Sequence, residues 1–166
     1  MFDSTFYLPP RTDQKNNFRI KGFTSIELMT VLLIVIILSA LAVPSFSNLI
    51  ARQRTKNLAT DFYFALAKTR SEALKRNTNV TLAPISSSWQ NGWQILDASS
   101  NILDTHGSIA GITISGGPST VVYQNSGRIV GSTAPSFLAT STADASIQSC
   151  VSTTLSGRPY MKASSC

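Results

Sequence analysis

An almost unbroken apolar run from Ile26 to Val43 constrains this chain more than any other feature, and it is entered through Lys21-Gly22-Phe23-Thr24-Ser25-Ile26-Glu27-Leu28. Its roughly 18 residues are enough to span a bilayer as a helix rising ~1.5 Å per residue. The residues before it are polar and mildly basic, include Pro9-Pro10, and have no hydrophobic periodicity. An ordinary secretory signal would carry a small-residue cleavage site after the run, and Ala40-Leu41-Ala42 imitates one. A single-span anchor without processing is the other plain reading. Neither explains Glu27. A carboxylate just inside an apolar stretch costs about 3 kcal/mol and asks for a cation. Cleavage after Gly22 would create one, the α-amino group of Phe23, with an ordinary pKa of about 8. Glu27 stands four residues later, one helical turn away. Carboxylate and amine can then neutralise one another in water-poor surroundings.

The segment Gly22-Phe23-Thr24-Ser25-Ile26-Glu27-Leu28 resembles the class III signal of type IV pilins and type II secretion pseudopilins. The resemblance implies that a prepilin peptidase/N-methyltransferase cuts after Gly22 and methylates Phe23. It makes residues 1–22 a cytoplasmic leader and Glu27 the fifth residue of the mature chain, acting in assembly. It also implies a transmembrane helix at 23–47, single-pass in the inner membrane with the head in the periplasm. The mature protein would then join other pilin or pseudopilin subunits in a cell-surface pilus or a periplasmic pseudopilus. Ser25 stands where the family usually has Leu, and the leader is longer than in many members, so a start codon downstream of Met1 is an open alternative. Arg52, Arg54 and Lys56 flank the outer end of the span, so the distribution of positive charge gives only a weak orientation signal.

Pro44 removes a backbone donor and is expected to kink or locally open the helix. Pilins commonly carry a proline near this point, which makes Pro44 a second assembly residue. The segment 48–77 reads as the amphipathic half of one long helix. Leu58, Phe62, Ala65, Leu66 and Ala73 recur at three- and four-residue steps and should pack under a β-sheet. Arg52, Arg54, Lys56, Lys68, Arg70, Lys75 and Arg76 are placed on its other faces, as a solvated basic surface that also meets headgroups or neighbours, or as a DNA-contacting strip. Asn77-Thr78-Asn79 ends the helix. The remainder, 78–166, offers strand-like segments at 80–85, 93–97, 111–115, 120–124, 128–130, 137–140 and 147–151, separated by turn signals such as Asn91-Gly92 and Asn125-Ser126-Gly127. The expected class is α+β: a pilin-like fold, its long N-terminal helix packed on an antiparallel β-rich C-terminal head.

Net charge is +6. Removing the leader takes four of the 14 basic and two of the eight acidic residues, leaving about +4, which permits an anionic partner without requiring one. Cys150 and Cys166 lie outside the apolar run, and an even pair in an exported domain reads as one disulfide. Closing that loop of about 15 residues is worth about 3 kcal/mol in the chain-entropy description. No catalytic constellation, phosphate loop or cofactor motif stands out. The single histidine, His106, is read in a loop-like stretch from Asp104 to Gly107, and with Asp104 it would make at most a weak metal pair, so no metal site is assigned. The expectation is a protein that is not an enzyme.

The head narrows the resemblance. Trp89-Gln90-Asn91-Gly92-Trp93 resembles the W-x-x-G-W segment of the FimT/FimU/GspH group of minor pilins and pseudopilins, and Gln124-Asn125-Ser126-Gly127-Arg128 its strand-turn-Gly-Arg element. Trp89 and Trp93 are read as core residues. Gly157-Arg158 near the C-terminus resembles the G-R-x-R element that serves DNA binding in members of the FimT type, although Tyr160 replaces the second arginine. By that resemblance Arg158, Tyr160 and Lys162 are candidate contacts to double-stranded DNA, through phosphate charge and base stacking. The alternative is a turn followed by a last strand. The reading is thus a minor pilin that initiates or caps a type IV pilus, with DNA uptake in natural transformation as its possible second role. The alternative is a GspH-like pseudopilin of a type II secretion system.

Overall fold

The computed structural model describes residues 22–166, apart from the side chains of residues 41–45. The leader up to Lys21 and the side chain of Pro44 lie outside the described residues. The chain divides into two compact units, Met1–Ala40 and Leu41–Cys166. Helix α1 (Ser25–Arg76) begins in the first and ends in the second, and its assignment runs through position 44 without interruption. In the first unit the apolar side chains from Ile26 to Leu38 are exposed. Among the described residues no helix is long and apolar enough to cross a membrane. The apolar run read from the sequence also uses Leu41, Ala42 and Val43, whose side chains are not described.

In the second unit the stripe Leu58, Phe62, Ala65, Leu66 and Ala73 is buried. Buried Thr55 and Thr69 sit among these residues because each hydroxyl donates to the carbonyl four residues back, Ala51 O at 3.0 Å and Ala65 O at 2.7 Å. The helix ends in a Schellman arrangement. Asn77 takes the left-handed conformation (φ 52°), Thr78 N–H reaches Ala73 O, and Asn77 N–H reaches Leu74 O.

Eight strands follow: β1 (Val80–Pro84), β2 (Trp93–Leu96), β3 (Ile102–His106), β4 (Ile112–Gly116), β5 (Val121–Tyr123), β6 (Ser136–Ser141), β7 (Gln148–Thr153) and β8 (Pro159–Lys162). They form two four-stranded antiparallel sheets, ordered β3-β2-β1-β5 and β4-β6-β7-β8. Burial alternates along β6, placing Phe137, Ala139 and Ser141 inward. Phe62 of α1 touches both sheets. Its ring centroid lies 4.8 Å from Trp93 of β2, 4.5 Å from Phe137 of β6 and 5.4 Å from Trp89 in the turn between β1 and β2. Both tryptophans are buried, and the Trp89 indole N–H donates to Pro118 O at 3.1 Å.

Three local readings are corrected. Asp104-Thr105-His106 is strand, not loop: β3 is an edge strand paired with β2 across Trp93↔His106, and its mostly exposed side chains leave no apolar alternation to detect. Residues 128–130 form no strand. They carry a single bridge, Tyr123↔Ile129, flanked by Gln124 N–H to Arg128 O at 2.9 Å and Val130 N–H to Val122 O at 2.9 Å, while the Ile129 N–H faces away from β5 and reaches Leu155 O. Arg70 does not lie free on a solvated face, as described below. Removing the Phe62 ring takes away a side chain common to both sheets and the tryptophan pair. Phe62→Ala should destabilise the second unit by about 3–5 kcal/mol in denaturant unfolding; a loss below about 1 kcal/mol would contradict its position at the centre of the core.

Candidate functional site

Gly22 and Phe23 are exposed, and among the described residues none beyond its chain neighbours lies within 4 Å of where a Gly22 side chain would begin. Thr24 opens α1 through a capping box. Its backbone N–H and hydroxyl donate to Glu27 Oε2 at 3.1 and 3.2 Å, while Glu27 N–H donates to Thr24 Oγ1 at 3.3 Å. Glu27 therefore has hydrogen-bond partners in the uncleaved chain, and its charge also suits the positive end of the helix. The Thr-x-x-Glu spacing was the signal.

The two Gly-Arg elements come together. Both are x-x-Ser-Gly-Arg turns with the same hydrogen bonds. Gly127 N–H donates to Gln124 O at 2.8 Å and Gln124 N–H to Arg128 O at 2.9 Å, and the matching bonds from Gly157 to Thr154 and from Thr154 to Arg158 are 2.8 and 3.0 Å. Gly157 has φ +80°, and a Cβ there would fall 1.9 Å from Gly127 O, so only glycine lets one turn rest on the other. Arg70 bridges the pair from α1. Its Nε donates to Gly127 O at 3.0 Å and its terminal nitrogen to Ser156 O at 3.4 Å. Arg128 and Arg158 are exposed beside these clamped turns. The internal repeat of Ser-Gly-Arg was the sequence signal for the pairing.

The structure places the three candidate DNA contacts at the start of β8 and along it. Arg158 precedes β8 at the turn pair, its N–H donating to Thr154 Oγ1 at 3.1 Å. Lys162 ends β8, with its ammonium 5.7 Å from the Tyr160 ring centroid. It lines a separate cleft with Arg52 and Lys56. Cys150 and Cys166 are bonded, with Cα atoms 5.2 Å apart, which ties the chain end after β8 back to β7.

His106 stacks on Trp93 with centroids 4.0 Å apart and rings 10° from parallel. Its Nδ1 lies 3.0 Å from Gly107 O and its Nε2 3.7 Å from Asp61 of α1. Asp104 instead takes Lys68 Nζ at 2.8 Å, and that hydrogen bond holds its carboxyl below the usual range. The two side chains thus tie edge strand β3 to the helix. Among the described residues no group of three or more histidine, cysteine or acidic residues is placed to hold a metal ion.

A family model described as "Type II transport protein GspH" matches residues 58–157. Among solved structures, the type IV minor pilin FimU of Pseudomonas aeruginosa aligns in two crystal forms at 19% identity, with TM-scores of 0.59 and 0.57. These alignments cover 67% and 64% of this chain and 90% and 91% of FimU. The minor pseudopilin EpsH from the type 2 secretion system of Vibrio cholerae aligns at 15% identity and a TM-score of 0.53, covering 66% of this chain and 97% of EpsH. Such identities establish a shared fold. Comparison with curated proteins gave no match.

Beneath the turn pair, Tyr123 is fully buried, with a Cε1 atom 3.0 Å from where a Gly157 Cβ would lie. Among the described residues its hydroxyl has no hydrogen-bond partner, and burial pushes its pKa well above the ordinary value. The folded state thus holds the phenolic proton more tightly than the unfolded chain. Its contribution is complete below the unfolded pKa of about 10 and is lost as pH rises beyond it. Thermal melts should fall more steeply above about pH 10 in the wild type than in Tyr123→Phe; parallel curves would refute this.

Proposed function

The chain belongs to the GspH family, and from that premise we propose that it is a minor subunit of a type IV pilus, initiating or capping fibre assembly. The observation that carries this reading is the combination of the pilin fold, its two sheets seated on Leu58–Ala73 of α1, with a processing-type Gly22-Phe23 junction and Glu27 at the start of the same helix. In this reading the prepilin peptidase cuts after Gly22 and methylates Phe23. The run Ile26–Val43 holds the subunit in the inner membrane with the head in the periplasm. Loosening of the helix near Pro44 accompanies assembly with other subunits. Released beside the Thr24–Glu27 cap, the Phe23 amine gives the carboxylate a second, ionic partner.

Cap and charge can be separated. Gln at position 27 keeps a capping acceptor and removes the charge. Glu27→Gln and Glu27→Ala should both insert in the membrane yet be lost from sheared surface fibres in immunoblots. Wild-type incorporation of the Gln variant would reduce Glu27 to a helix cap. Loss of exoprotein secretion with intact pili in a deletion strain would favour the pseudopilin alternative.

A second reading, DNA reception for uptake, is favoured by exposed Arg128 and Arg158 on the clamped turn pair. With two or three phosphate contacts per head, binding should be weak and fall with salt as about the second or third power. The core residues lie from Leu58 to Val151, so the head from Ile50 onward carries them all. In gel shifts it should retard duplex DNA at low salt and lose this with Arg158→Ala. No retardation at high protein and low salt would leave the turn pair structural.

A further inference from the structure

At the far end of β8 from Arg158, a cleft of about 390 Å³ opens between α1, the residues entering β7, and the end of β8. Arg52 and Lys56 reach it from the helix and Lys162 from the strand, and among the described residues no carboxylate lines it. Three like charges around one cleft repel unless an anion enters. The nearby acid, Asp144, feels Arg52 but is bound to Ser146 N–H at 2.8 Å. The rest of the lining includes Ala59, Ile147 and Met161. A bare inorganic anion gains nothing from that apolar surface, whereas a phosphate carrying hydrocarbon uses both parts.

Sequence position favours one source of such a group. Arg52 and Lys56 follow Val43, the end of the apolar run, by nine and 13 positions on the same helix. Helical side chains lean towards the N-terminus, and long basic ones extend their charge to a headgroup layer while covering apolar surface with their stems. Basic residues on the outer side of a span run against the usual charge distribution, and an anionic lipid gives them a purpose. We propose that this cleft binds one anionic phospholipid. Its phosphate lies among Arg52, Lys56 and Lys162, and its first acyl carbons lie against Ile147 and Met161. Lys162 serves lipid here, independently of any DNA contact at Arg158.

The test uses the full chain in neutral detergent, titrated with phosphatidylglycerol or phosphatidylcholine of the same acyl composition and read by native mass spectrometry. One phosphatidylglycerol should be retained about a hundredfold more tightly than phosphatidylcholine, and Arg52→Gln/Lys56→Gln/Lys162→Gln should remove that preference. All three sites are exposed, and an unchanged thermal melt verifies the fold of the variant. Lys75→Gln/Arg76→Gln/Arg128→Gln, an equal loss of charge elsewhere, should keep the preference. Equal retention of both lipids, or equal loss of preference in the second variant, overturns the site. Displacement by inorganic phosphate or duplex DNA at the concentration of lipid phosphate also overturns it, leaving a general anion cleft.

Discussion

The structure depends on one aromatic contact set. Phe62 projects from α1 into the space where the two sheets meet, and it touches Trp93 of one sheet, Phe137 of the other and Trp89 between them. Edge-to-face and tilted ring pairs add to area burial without requiring polar partners. Each sheet has only four strands and could not bury its inner face alone. The helix is therefore the shared floor of the head, and whatever positions α1 also positions both sheets.

From that floor, polar side chains on neighbouring helix turns fix the margins. Arg70 holds the paired Ser-Gly-Arg turns, and Asp61 and Lys68 reach His106 and Asp104 on edge strand β3. The exposed ion pairs contribute little stability each. Their effect is positional, since an otherwise unprotected edge is fastened to the helix. The basic residues of α1 thus fall into different classes. Arg70 is structural, Lys68 pins an edge, and Arg52 and Lys56 line a cleft without an acid in its wall.

Much of this was legible in the sequence. The apolar stripe of α1 has the helical period, so its buried residues could be read directly. The tryptophan pair and the glycine turns marked the core and the hairpins. What escaped detection was polar or non-local. β3 has one partner strand and few inward side chains, so its two-residue period is masked. The role of Arg70 depends on carbonyls 57 and 86 residues away, which no local pattern records. The capping box of Thr24 and Glu27 also escaped, because the cost of a charge in an apolar run drew attention to a partner beyond the helix turn.

The bond between Cys150 and Cys166 acquires a mechanical meaning in a filament that bears load. β8 is an outer strand held by the β7 ladder, and a strand pulled at its free end peels one hydrogen bond at a time. The covalent tie carries force from the chain end straight into β7, which is flanked by β6 and β8. Tension on the tail then loads several backbone bonds together, in shear, and the end of the head resists unravelling under traction.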